Sequence, residues 1–117
     1  MSAAYDFEKA PPATSWKLLS RTVDETKAKA EVVPGIVPNT FILIVSGKKP
    51  YLNMTVRLSP LTYIRQPEYW EIQVIGSVPG IILPAIGVYH EALPLDGIRG
   101  TKGIVVKWAD DSEKFDI

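Results

Sequence analysis

Ten prolines are scattered along the 117 residues, from Pro11 to Pro94, and they set the terms on which this chain can fold. Proline removes a backbone donor and clashes with the preceding helical turn, so long helices are ruled out across most of the sequence. What remains is short strands, with prolines also guarding sheet edges against intermolecular pairing.

Strict alternation of apolar and polar residues fills the gaps between prolines. In 51–58, Leu52, Met54, Val56 and Leu58 face one way and Tyr51, Asn53, Thr55 and Arg57 the other, which is the period of a half-buried strand. Residues 69–76 repeat the pattern, with Trp70, Ile72 and Val74 predicted on the core face. Residues 40–46, Thr-Phe-Ile-Leu-Ile-Val-Ser, form a short β-branched run, the mark of a strand covered on both faces. Ser46-Gly47-Lys48-Lys49-Pro50 then reads as a turn, and 61–66 as an edge strand or strand-like connector cut off by Pro67. Residues 81–93 read as one strand bent near Pro84 and Gly87, and 104–108 as the last clear strand.

Residues 16–31 fit two patterns. Thr14 or Ser15 could cap a helix carrying Trp16, Leu19 and Val23 on one face. Lys27, Lys29 and Glu31 alternate with Ala28, Ala30 and Val32, however, and that favours a hairpin turning at Asp24-Glu25. The expected fold is therefore all-β, a single-domain antiparallel β-sandwich of about seven or eight short strands with turn signals every 8–12 residues. A partly open barrel, or an α+β fold with one helix in 16–31, is the alternative. The domain should span 16–109, between an extended arm at 1–15 and an exposed acidic tail at 110–117. Val33-Pro34-Gly35-Ile36 recurs as Val78-Pro79-Gly80-Ile81, but four residues of common types are better explained by accident than by a two-fold strand-corner-strand repeat.

Composition bounds function by exclusion. The chain is 46% apolar, 22% charged, and carries thirteen basic against thirteen acidic residues. The whole molecule thus has no net field to draw it to nucleic acid or an anionic membrane. There is no cysteine and one histidine, so disulfide scaffolds, thiol chemistry and a zinc site of His and Cys ligands are excluded. No apolar run approaches the ~20 residues of a membrane span, and the charged start lacks a secretory signal pattern. A cytoplasmic or virion interior location is the default, with a processed mature form as the exception. Asn53-Met54-Thr55 fits a glycosylation acceptor, a pattern too common to weigh.

No catalytic, cofactor or metal residue is assigned. His90 and Glu91 are adjacent and would point to opposite sheet faces, so an acid–base role for His90 needs a carboxylate such as Asp96 brought in by the fold. Gly76-Ser77-Val78-Pro79-Gly80 misses a nucleophile elbow by one position. Gly97 to Gly103 has three glycines, two cations and backbone N–H groups able to cradle an anion, but no P-loop ending.

The charge distribution is the most informative polar feature. No acidic residue falls between Glu31 and Glu68, while Lys48, Lys49, Arg57 and Arg65 do. With Tyr51 and Tyr63 they would make a Tyr/Arg sheet face suited to stacking bases, and Arg99 and Lys102 add cations downstream. These eight residues are the candidate binding set. The expected function is nonetheless non-enzymatic: a protein–protein interaction or assembly module, of which a homo-oligomeric structural protein is one form. A small-ligand or single-stranded nucleic-acid binding domain is the alternative, and no membrane partner is expected.

Overall fold

A computed structural model of the chain describes residues 16–117, and every regular element among the described residues is a strand. In chain order these are β1 (Lys17–Leu18), β2 (Thr22–Val23), β3 (Thr26–Lys27), β4 (Lys29–Pro34), β5 (Phe41–Lys49), β6 (Thr55–Pro60), β7 (Tyr69–Ser77), β8 (Gly87–Pro94), β9 (Gly103–Lys107) and β10 (Ser112–Asp116). The predicted arm at 1–15 lies outside the described residues. No helix among the described residues is long and apolar enough to cross a membrane.

The strands make an all-β, sandwich-like domain. β4, β5 and β8 form one antiparallel sheet with β5 at its centre, and β1, β6, β7, β9 and β10 form the other around β7. Leu43 and Val45 of the first sheet are fully buried, as are Ile72, Val74, Ile104 and Val106 of the second, with Val56, Leu58 and Trp108 completing the core. The alternation in β7 thus buries the predicted face. One pairing departs from an antiparallel plan: β7 runs parallel to β9 over Tyr69–Gln73. A parallel pair needs a long crossover, and β8, placed in the opposite sheet, supplies it.

The hairpin reading of 16–31 holds. β2 pairs with β3, and both turn residues take positive φ, 51° at Asp24 and 61° at Glu25. That is the mirror-image turn whose twist matches two antiparallel strands.

Several elements end elsewhere than the pattern predicted. Gly47–Lys49 do not turn but prolong β5 against β8. Gly47 serves close approach instead: a Cβ there would stand 2.7 Å from the Ala28 Cβ and 3.1 Å from the Tyr89 hydroxyl. Residues 51–54 are a turn, closed by Met54 N–H donating to the Tyr51 carbonyl at 3.1 Å, so the strand begins only at Thr55 and Leu52 is exposed rather than core. Residues 61–66 form a connector, tied to β7 where Leu61 N–H donates to the Glu71 carbonyl at 3.0 Å. The strand expected over 81–93 starts at Gly87, leaving 78–86 as an irregular loop. The two Val-Pro-Gly-Ile copies are not a structural repeat, because Gly80 has φ +73° in an open loop whereas Gly35 N–H donates to the Thr40 carbonyl at 2.8 Å to close a hairpin.

The acidic stretch 110–117 is not a free tail. Ser112–Asp116 pair with β9 along its whole length as β10.

Candidate interaction surface

The eight residues proposed from the sequence do not converge. Lys48 lies on the outer face of the three-stranded sheet with its Nζ 3.4 Å from Asp24 Oδ2. Its neighbour Lys49 points the other way and donates to the Met54 carbonyl at 2.7 Å. Arg57 sits on the outer face of the other sheet, its guanidinium 4.5 Å above the Trp16 ring. Tyr63 packs edge-on to Trp70 at 5.1 Å and accepts the Glu71 N–H at 3.3 Å, while Arg65 is exposed in the 61–68 connector. Tyr51 belongs to the turn at the opposite end of β6. Arg99 lies over Phe41 at 5.1 Å and Lys102 lies 3.5 Å from Glu68. The Tyr/Arg face required β6 and 61–66 to be neighbouring strands, and the chain leaves the sheet after Pro60 instead.

The glycine loop 97–103 offers no anion cradle either. Thr101 N–H donates to the Pro67 carbonyl at 2.9 Å, and Lys102 and Gly103 donate to the Glu68 carbonyl at 2.8 and 3.2 Å. His90 is exposed on the outer face of β8, with Ser46 beside it in register and Lys29 beyond. Glu91 faces away, and among the described residues no hydrogen bond or ion pair joins His90 to a carboxylate. Among the described residues no group of three or more His, Cys, Asp or Glu side chains is arranged to hold a metal ion.

The structure draws attention to another place. The loop between β7 and β8, Val78-Pro79-Gly80-Ile81-Ile82-Leu83-Pro84-Ala85-Ile86, carries no charge and projects its apolar side chains into solvent. Ile81 is 83% exposed and Val88, just beyond the loop, 75%, with Ile82, Leu83, Ile86 and Leu52 all near half exposure. Isolated surface hydrophobics are ordinary, but six gathered at one tip make an exposed apolar cluster.

The loop is held out by its backbone. Asn53 clasps it with both ends of its amide: Nδ2 donates to the Ile81 carbonyl at 2.6 Å and Oδ1 accepts the Leu83 N–H at 3.1 Å. The Leu83 carbonyl accepts from Leu52 and Ala85 N–H groups at 3.2 and 2.8 Å. Pro79 and Pro84 have no N–H to satisfy and restrict φ, so little backbone entropy remains to be lost on contact. The prong is thereby preorganised with its apolar side chains outward.

Beside it runs a groove of about 770 Å³, lined by Leu18, Leu19, Val23, Tyr51, Met54 and Val78 among others. The turn 50–54 separates the two features, sending Tyr51 and Met54 into the groove and Leu52 and Asn53 to the prong.

One charged cluster is internal and structural. Arg21 is 7% exposed, and its guanidinium donates from Nε to the Ala28 carbonyl at 2.9 Å, from Nη1 to Asp111 at 3.0 Å and from Nη2 to Glu113 at 2.6 Å. The plane lies 4.2 Å from the Trp108 ring centre, and Arg21 N–H donates to Asp110 at 2.6 Å. The Arg21 backbone N–H holds the Asp110 carboxyl below its ordinary value, and the Ser112 N–H, followed by the Arg21 guanidinium, does the same for Asp111. Nearby, burial raises the Tyr89 pKa, opposed by the Trp108 indole and the Arg21 charge. The indole N–H and the hydroxyl are close but not in hydrogen-bonding geometry, and both are buried without a partner among the described residues.

Comparison of the chain with protein-family models, with curated protein sequences and with solved structures finds no match. The site's own chemistry is therefore the only guide to its role.

Proposed function

We propose that this domain is a non-enzymatic protein-interaction module and that the clasped apolar prong, residues 81–86 with Leu52 and Val88, is its contact surface. The observation that carries the reading is the pairing of outward isoleucines and leucine with a backbone pinned by Asn53. A loop that merely connected β7 to β8 would gain by folding these side chains inward, because each buried aliphatic side chain stabilises by about 1.5–3 kcal/mol. The prong forgoes that gain, which suits a surface completed by a partner. An assembly role fits the neutral total charge, since copies or partners approach without long-range repulsion.

A photo-crosslinking residue at position 82, introduced in the full chain, tests this. Irradiation should yield covalent adducts with protein, either the same chain or another, whereas the same residue at position 62, on the far end of the sandwich, should not. Position 82 giving no more adduct than position 62 would defeat the proposal.

A further inference from the structure

The prong and the groove lie side by side at one end of the molecule, and each has what the other lacks. The prong offers uncharged Ile81, Ile82 and Leu83 as a convex ridge. The groove is mainly apolar, with Leu18, Val23, Met54 and Val78 in its lining, and Lys17, Ser20 and Thr22 also face it. Its volume of about 770 Å³ falls within the ~300–1,000 Å³ range of sites that enclose a ligand, room enough for a few aliphatic side chains. Met54 lies against Gly76 and can adjust its three rotatable bonds to whatever enters.

We infer that the partner of the prong is a second copy of this chain, each copy inserting its prong into the groove of the other about a two-fold axis near the 50–54 turns. This rests on the reading of the prong as a contact surface and adds the occupant. Complementary features on opposite sides of a molecule build open fibres, whereas features flanking one turn at one end can be satisfied mutually and close as a dimer. The exchange covers two exposed apolar surfaces with one symmetric contact. It leaves the outer sheet faces, with Arg57 and His90, in solvent.

The absence of native cysteine makes the test clean. Light scattering on the full chain should show a dimer that Ile82→Asp weakens by more than about 100-fold, since two unpaired carboxylates would enter an apolar contact. At protein concentrations low enough for both proteins to be monomeric the thermal transition of the variant should match the wild type's, because residue 82 is outside the core. When Ile82→Cys protein is mixed with Val23→Cys protein under mild oxidation, the mixed disulfide should exceed both homodimers. A monomeric wild type, a mass indifferent to Ile82→Asp, or preferential coupling of the Ile82→Cys protein to itself would each overturn the exchange. Flotation of a monomer with phosphatidylserine-containing vesicles, lost in Ile82→Asp, would overturn it in favour of a bilayer. Position 82 still crosslinking to a different chain would then leave the interaction module standing without the dimer; no adduct at all would remove both.

Discussion

Glu25 and Gly47 stand where their residue types decide a local cost. Both central positions of the β2–β3 turn have positive φ, a conformation glycine adopts freely and a side chain with Cβ resists by roughly 1–2 kcal/mol. Glu25→Gly should therefore stabilise the domain, by about 0.5–1 kcal/mol once the greater freedom of unfolded glycine is counted, read from the urea midpoint. Gly47→Ala should do the reverse by about 1–3 kcal/mol, because its Cβ would meet Ala28 at 2.7 Å inside a packed core. Arg21→Met should cost about 2–3 kcal/mol in the same measurement. That is below the roughly 3–5 of a fully buried ion pair, since Asp111 and Glu113 keep 40% and 39% side-chain exposure and can rehydrate. Of these three positions, only Glu25 was legible as what it is, a turn residue between alternating segments. Gly47 resembled a turn, and Arg21 was one cation among thirteen.

β10 belongs to the core of the domain at the scale of elements. Its inward positions are Glu113 and Phe115, and a polar residue facing in breaks the alternation by which strands are found. Glu113 is tolerated there because Arg21, 92 residues earlier, reaches it with a charge-assisted hydrogen bond. Removal of residues 112–117 should therefore abolish the cooperative thermal transition rather than trim a tail. The same cluster makes stability depend on acid. Asp110 and Asp111 have folded pKa values below the ordinary 3.8, so their contribution is present above that value and is lost as pH falls through the lower folded ones. The melting temperature should thus decline on acidification below about pH 4, and Asp111→Asn should flatten that decline while lowering the plateau. A variant with an unchanged slope would detach Asp111 from the linkage. β6, β7 and β9 were legible in advance because their inward residues are all apolar, and the β2–β3 hairpin because lysines alternate with alanines.

For the whole molecule, the two ends of the sandwich differ in how their exposed apolar residues are grouped. One end gathers the 35–40, 61–68 and 95–103 loops, the last two tied together by backbone bonds such as those from Thr101 and Lys102 to the 67–68 carbonyls. The other holds the prong, the 50–54 turn and the groove, where six exposed apolar side chains are gathered instead of the separate Ile36–Val37 pair and Ile64 of the first end. Asn53→Ala should loosen the prong without touching the core. We expect faster amide exchange at Leu83 and a weakened association, with the melting temperature of the dissociated chain nearly unchanged. Equal protection of Leu83 in both proteins would show that the clasp does not organise the loop. The sequence pointed to the basic interval 48–65 instead, because a run of cations is visible in one dimension. Whether such residues share a surface depends on where the chain leaves the sheet.

Prolines and alternation, read directly from the residues, determined that this protein is all-β and which faces of β6 and β7 are buried. Both are local properties, with proline acting on its own turn of chain and alternation on neighbours two residues apart. The tertiary structure alone decided the parallel β7–β9 pair, the tenth strand, the enclosure of Arg21 and the exposure of the 81–86 prong. Each depends on partners distant in sequence. Residues 81–86 are apolar enough to have been core, and bonds from Leu52 and Asn53, formed from across the fold, hold their backbone with the side chains outward.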